Sequence, residues 1–343
     1  MASTLKRKRI IVLVHESLIP PEDISKLDPS EIEPFKTEYD VCEGLESLGH
    51  DVAVIGLSDE LTPLRTAIEE LKPHVVFNLL EEFRGDPLFD AHVVGYLELQ
   101  QVPYTGCNPR GLLLAHDKAL SKKILAYHRI AVPAFGVFAR YRKITRPKRL
   151  EFPLIVKSLI EEGSYGIAQA SVVYNDKALE ERVSFIHDKI RTDAVVEQYI
   201  EGRELYVSVL GNHRLQALPT WEIFLDHLPE DALKIATRKV KWDLEYQEKY
   251  KVRLGRAKGL SEEMERRIAR LSRRICRGLG TDGCVRIDFR LDEAGKLYFL
   301  EANPNPDIGD GEEFASAAKA AGMDYPALLQ KIVNLGIRRA ERG

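Results

Sequence analysis

The chain has 343 residues, 44% hydrophobic and 30% charged, with a formal net charge of -3. That balance is ordinary for a globular protein. It gives no sign of a nucleic-acid or anionic-membrane partner, and no apolar run approaches the roughly 20 residues of a membrane span. The length suffices for two or three domains with real cores. Cys42, Cys107, Cys276 and Cys284 lack zinc-ligand or redox spacing, and the nine histidines show no paired metal spacing. Reduced thiols in a cytoplasmic protein are therefore expected. Lys6, Arg7, Lys8 and Arg9 precede a short β-like run rather than a signal-peptide core, which reads as a basic tail, with a localisation signal as the alternative.

In chain order, residues 10–14 form a buried-type strand and a helix over 39–48 stops at Gly49, a common C-terminal stop. Residues 52–55 and 75–79 are the next strands. Strands alternating with helices predict a parallel sheet covered on both faces. No G-x-G-x-x-G follows the first strand, so dinucleotide binding has no support. After a turn-rich break at 103–109, a helix is expected over 110–127 with Asp117 and Lys118 in its middle. Beyond Pro133 the pattern becomes antiparallel, with strands at 152–157, 194–200 and 204–210, the last two around Gly202. Residues 221–259 are mixed, polar and basic, which suits a long mobile loop. Ser261 is the N-cap of a helix carrying Met264, Ile268, Leu271, Ile275 and Leu279 at three- and four-residue spacing and ending at Gly280. A final helix is expected over 325–341.

Val285 to Phe289 and Tyr298 to Pro304 flank the turn Asp292-Glu293-Ala294-Gly295-Lys296, a hairpin signal. If the turn centres on Ala294-Gly295, Asp288 falls opposite Glu301 and Arg286 opposite Asn303. Val285, Ile287 and Phe289 then pair with Ala302 and Leu300 on the apolar face. Carboxylates opposite one another repel. A hard cation such as Mg²⁺ relieves this, because it takes oxygen ligands and sits between carboxylates and nucleotide phosphates. The alternative is a surface hairpin in which Arg286 neutralises a neighbouring acid. Lys157, at a strand end before the glycine-containing loop 161–167, suits a phosphate cradle, although chains also simply leave their cores this way. Plain readings exist for Lys118 as an exposed helix residue, Glu197 and Glu204 as strand-edge charges, and Lys241 as part of a solvated basic loop.

Taken in order, the pattern is Asp-Lys on a helix, strand-Lys-loop-Gly, Glu-x-x-x-x-Gly-x-Glu, a basic loop, Arg-x-Asp and Glu-x-Asn-Pro. It resembles the ATP-grasp superfamily, and within it the D-alanine–D-alanine ligase-like branch, from about residue 77 to 322. The resemblance implies a mixed α/β and α+β architecture. An N-terminal parallel-sheet domain (1–109) precedes a central ATP-grasp subdomain with a glycine lid loop (110–210) and a C-terminal subdomain with the metal site (211–343). It implies ATP between the last two. Lys118 and Lys157 would contact phosphates under a lid of Gly163, Ser164, Tyr165 and Gly166. Glu197 and the backbone of Gln198, Tyr199 and Ile200 would meet adenine, and Glu204 the ribose. Lys241 would reach the terminal phosphate. Asp288, Glu301 and Asn303 would hold two Mg²⁺ ions, or Mn²⁺ in their place, and Arg286 would stabilise charge on the reacting carbonyl. The implied activity is ATP-dependent amide formation from a small carboxylate and an amine through an acylphosphate. The alternatives are an ATP-grasp kinase and a non-catalytic ATP-binding regulator. A homodimer follows from the resemblance alone.

The pattern departs from those ligases where substrates are chosen. They carry a Pro-Gly turn after the asparagine and then a serine region that binds the acceptor carboxylate. Here Asp307 stands at the glycine and Glu312 at the serine position. Partly desolvated carboxylates there would repel a carboxylate-bearing acceptor by about a few kcal/mol. Leu80 to Asp86 replaces a histidine- and glycine-rich segment, while Glu16 keeps a glutamate where those ligases hold the first substrate's amino group. A product other than D-alanyl-D-alanine is expected, from an acceptor that turns a neutral or cationic group towards Asp307, Asp310 and Glu312. The alternative is that these acids cap a helix starting near Glu312.

Overall fold

The structure is a computed structural model that describes residues 6–161, 166–229 and 232–340. Strands β1 (Arg9–His15), β2 (Asp51–Leu57) and β3 (Val75–Asn78) form a parallel sheet in the order β2-β1-β3. Ile10 to Val14 are all buried, as a strand covered on both faces requires. On one face, helix Lys36–Ser47 packs through Val41 and Leu45, and helix Tyr325–Ala340 through Leu328, Leu329, Ile332 and Val333. On the other, helices Thr62–Leu71 and Asp90–Leu99 supply Leu64, Ala67, Val93, Val94 and Leu97. The end of the chain thus returns to the first sheet, held by aliphatic side chains that each contribute about 1.5–3 kcal/mol on burial. No helix among the described residues is long and apolar enough to cross a membrane.

The second sheet is antiparallel. It contains β4 (Phe135–Phe138), β5 (Leu154–Ser158), β6 (Val172–Val173) and β7 (Ala194–Gln198) in the order β4-β7-β5-β6. The third comprises β8 (Arg203–Gly211), β9 (Gln216–Ala217), β10 (Trp221–Phe224), β11 (Arg253–Arg256), β12 (Gly283–Leu291) and β13 (Leu297–Pro304). Its order is β11-β10-β8-β12-β13, with β9 on β8. The consecutive strands β7 and β8 therefore belong to different sheets. Gly202 makes the crossing at φ 145°, and a Cβ there would clash with the carbonyl of Leu291, so only glycine fits.

Three local expectations are corrected. The helix over 110–127 is two helices, Pro109–His116 and Lys118–Tyr127, because Asp117 leaves helical geometry at ψ 96° and its carboxylate caps Ala119 and Leu120. Lys118 therefore opens a helix. The segment 221–259 is no loop: it holds β10, two short helices (Arg238–Trp242 and Leu244–Lys249) and β11. A small core of Tyr206, Ile223, Leu225, Ala236 and Val240 supports it, and its polar composition reflects an exposed outer side. The β12–β13 hairpin has the expected register from Val285 to Asp288, but Phe289 pairs with Phe299. Leu300 is the extra residue of a bulge, and its carbonyl accepts from Lys122 Nζ.

Candidate active site

Strand pairing assembles one polar face from three strands. Asp288 lies opposite Glu301 and Arg286 opposite Asn303, while β8 sets Ser208 beside Arg286, Tyr206 beside Asp288 and Glu204 beside Arg290. Arg286 Nε and Nη2 donate to the two oxygens of Asp288 at 2.8 and 3.1 Å. Glu313 Oε2 lies 3.6 Å from the same Nε. The guanidinium also stands 5.2 Å from the centroid of the Tyr206 ring, within cation–π range. Tyr206 donates to Glu204 Oε1 at 2.8 Å, and Arg290 pairs with Glu204 Oε2 at 2.9 Å.

Lysines approach from the second sheet and from the helix that precedes it. Lys118 Nζ is 3.6 Å from Glu301 Oε2 and donates to the Glu161 carbonyl at 2.5 Å. Lys157 donates to Glu197 Oε2 at 3.3 Å, and Lys122 pairs with Glu197 Oε1 at 2.9 Å. Burial alone would raise the Glu197 carboxyl, but Lys122 and Lys157 outweigh it and hold it low. Lys241, in helix Arg238–Trp242, stands 5.9 Å from the Tyr206 centroid. Lys157, Glu197, Gln198, Tyr199, Ile200, Glu204, Lys241 and Glu301 share one cleft, walled by Ile155, Ile167, Ile235 and Leu300.

Burial also acts against the Glu301 carboxylate, yet Lys118, then Lys157, Lys241 and Arg286, hold it down at about 2. Burial raises Asp288 against the pull of Arg286, and raises Glu313 to about 7. The opposed carboxylates and the Asn303 amide are an all-oxygen donor set that fits a hard divalent cation. Among the described residues no three His, Cys, Asp or Glu side chains converge as metal ligands, so such a site needs the amide. Asn303 Nδ2 is buried with no hydrogen-bond partner among the described residues, which leaves the amide free to settle its orientation on an ion.

The other expected positions lie apart or serve local structure. Glu16 is exposed in a 3-10 turn after β1. Asp307 Oδ1 accepts from Thr37 Oγ1 at 2.6 Å and from the Gly309 amide at 2.9 Å. Glu312 occupies the N-cap position of helix Glu313–Ala320 but makes no side-chain cap bond. Gly163, Ser164 and Tyr165 lie outside the described residues; Gly166 follows them at φ 74°. Sequence reasoning missed Lys122, Tyr206, Arg290 and Glu313. The first three had signals: Lys122 is one helical turn from Lys118, and Tyr206 and Arg290 share strand faces with Glu204 and Asp288. Glu313 had none, because only the fold brings its helix to Arg286.

A parallel-sheet domain followed by two antiparallel sheets that meet at a lysine-lined cleft is the ATP-grasp architecture. Within that class the chain belongs to the D-alanine–D-alanine ligase family, since the family described as D-ala D-ala ligase C-terminus matches residues 124–334. The uncharacterised protein y4sG of Sinorhizobium fredii is 31% identical over 311 residues, 87% of each chain. The D-alanine–D-alanine ligase of Aquifex aeolicus is 30% identical over 302 residues, 87% of this chain and 94% of its own. Bacillus anthracis D-alanine–D-alanine ligase complexed with ATP has the same fold, with a TM-score of 0.75 at 22% identity over 98% and 99% of the two chains. For the VanG D-Ala:D-Ser ligase of Enterococcus faecalis the values are 0.69, 20%, 96% and 100%.

Proposed function

We propose that the protein is an ATP-dependent carboxylate–amine ligase whose product is not D-alanyl-D-alanine. The observation that carries the reading is the Arg286–Asp288 pair, with Asp288 opposite Glu301, which lines the cleft together with Lys157, Lys241 and Glu204. A site that only bound ATP would not need a guanidinium beside its carboxylates. Lys118 and Lys157 hold nucleotide phosphates, Glu204 faces the ribose, and the backbone of Gln198 to Ile200 meets the base. Glu197, engaged by two lysines, fixes those lysines as well as the base. When bound at Asp288, Glu301 and Asn303, magnesium offsets phosphate charge.

A carboxylate oxygen of the first substrate attacks the γ-phosphorus and ADP leaves, giving an acylphosphate. The lysines lower the repulsion between the two anions. The second substrate's amine then attacks the acyl carbon and phosphate departs with the carboxylate oxygen. Arg286 faces the oxyanion of that tetrahedral step, and Lys241 helps to close the cleft over the phosphates. Asp307 and Glu312, where D-alanine ligases carry glycine and serine, disfavour an acceptor carboxylate and support a different product.

The test is ADP release from Mg-ATP with a panel of carboxylates and amines, followed by mass analysis of the products. Turnover that requires both an acid and an amine supports a ligase. A stable phosphorylated product identifies a kinase, and ATP binding without turnover identifies a regulator.

A further inference from the structure

Helix Lys36–Ser47 turns its first residues onto the segment after Asn303. Thr37 Oγ1 donates to Asp307 Oδ1 at 2.6 Å, and the Asp310 amide donates to Asp40 Oδ2 at 2.9 Å. Lys36 is engaged there by Asp40 at 2.9 Å, the Asp310 carbonyl at 2.8 Å and Glu312 at 3.9 Å. Glu38, next to Thr37, is only 7% exposed. Among the described residues no other residue donates a hydrogen bond or ion pair to its carboxylate, and the charged group that acts on it is Asp307, of like sign. A buried carboxylate in the field of another carboxylate is costly unless a cation offsets it. Tyr325 Oη, another buried group with no hydrogen-bond partner among the described residues, lies within the field of Asp40, Asp310 and Asp307. The cluster adjoins the catalytic face through Glu312 and Glu313, and Glu313 lies 3.6 Å from Arg286 Nε and accepts from Ser208 at 3.2 Å. Arg286 is thereby approached by two protein carboxylates.

We infer that the acceptor carries a second, positively charged group besides its reacting amine, and that Glu38, Asp307 and Glu312 bind it. This rests on the ligase reading and narrows it to a class of acceptor: a diamine, an amino-guanidine, or an amino acid whose carboxylate is blocked. Glu38 supplies the buried charge, Asp307 is held in place by Thr37 and Gly309, and Glu312 is the half-exposed member, 3.9 Å from Lys36.

The test is equilibrium binding to the full chain with Mg-ADP present, using agmatine and D-alanine as probes. Agmatine should bind the wild type about tenfold or more tighter than D-alanine. Glu38→Gln, which keeps size and removes charge, should weaken agmatine about ten- to hundredfold, the worth of one charge-assisted contact, with ADP affinity unchanged. Asp307→Asn, which keeps an oxygen for Thr37, should act in the same direction if Glu38→Gln folds poorly. Equal or tighter binding of D-alanine, or agmatine affinity indifferent to both variants, overturns the inference. ADP release with carboxylate–amine pairs is scored separately. Agmatine binding without turnover on any pair would sink the ligase reading and leave the cation site standing. Turnover with D-alanine preferred would do the reverse.

Discussion

Arg286 and Asp288 stand two positions apart on one strand, face the same way and close a two-point ion pair at 2.8 and 3.1 Å. The pair holds a planar guanidinium on the strand face it shares with Asp288, beside the Tyr206 ring. Lysine in its place keeps the charge but loses the fork geometry. Arg286→Lys should lower kcat about 10²- to 10³-fold with ATP affinity nearly unchanged, measured by steady-state ADP release and nucleotide titration. A variant with wild-type kcat would remove Arg286 from the chemistry.

Lys122 and Glu197 are 0% and 1% exposed and pair at 2.9 Å. Lys122→Met preserves volume but leaves Glu197 with Lys157 alone. Urea unfolding should show a loss of about 3 kcal/mol, as expected when one partner of a buried pair is removed. Glu197→Gln in the same chain should recover part of that loss. Additive losses in the double variant would mean that the two residues do not act as a pair.

Gly202 turns the chain from the second sheet into the third at φ 145°. Gly202→Ala should cost about 1–3 kcal/mol and, by shifting Glu204, raise the KM for ATP. Differential scanning calorimetry and initial rates report the two effects. A normal melting temperature would show that the crossing tolerates a side chain.

The buried carboxylates act on stability with opposite signs. Glu301 falls from its ordinary 4.5 to about 2 on folding. Its stabilisation, on the order of 3 kcal/mol, is present above pH 4.5 and lost as the pH falls towards 2. Glu38 rises from 4.5 to about 7, so it destabilises the unliganded fold progressively as the pH climbs through that interval. Glu301→Gln should flatten the acid limb of the melting curve. Glu38→Gln should melt above the wild type at pH 8 and level with it at pH 4. Melting scans across that range would expose the wrong sign for either residue.

Much of the fold was legible because its signals are local. The alternating Val285 to Phe289 run and the Ala294-Gly295 turn were enough to set Asp288 against Glu301, as observed. Ser261 and Gly280 bounded their helix as cap and stop. Misreadings arose where tertiary contacts override local pattern. Asp117 interrupts an otherwise continuous helical run to cap Lys118–Tyr127, and Leu300 bulges out with its carbonyl towards Lys122. At the hairpin, the opposition of Asp288 to Glu301 and of Arg286 to Asn303 was legible. Glu313, 3.6 Å from Arg286 Nε, was not, because only the fold brings its helix there.

The central claim is that a carboxylate is activated as an acylphosphate and captured by an amine. The most direct measurement uses the acid identified by the ADP-release panel, labelled with ¹⁸O in its carboxylate, with Mg-ATP and the amine, and follows the label by mass spectrometry. One labelled oxygen should appear in the inorganic phosphate and the amide should keep the other. Unlabelled phosphate, with both labelled oxygens still on the acid, would contradict the mechanism.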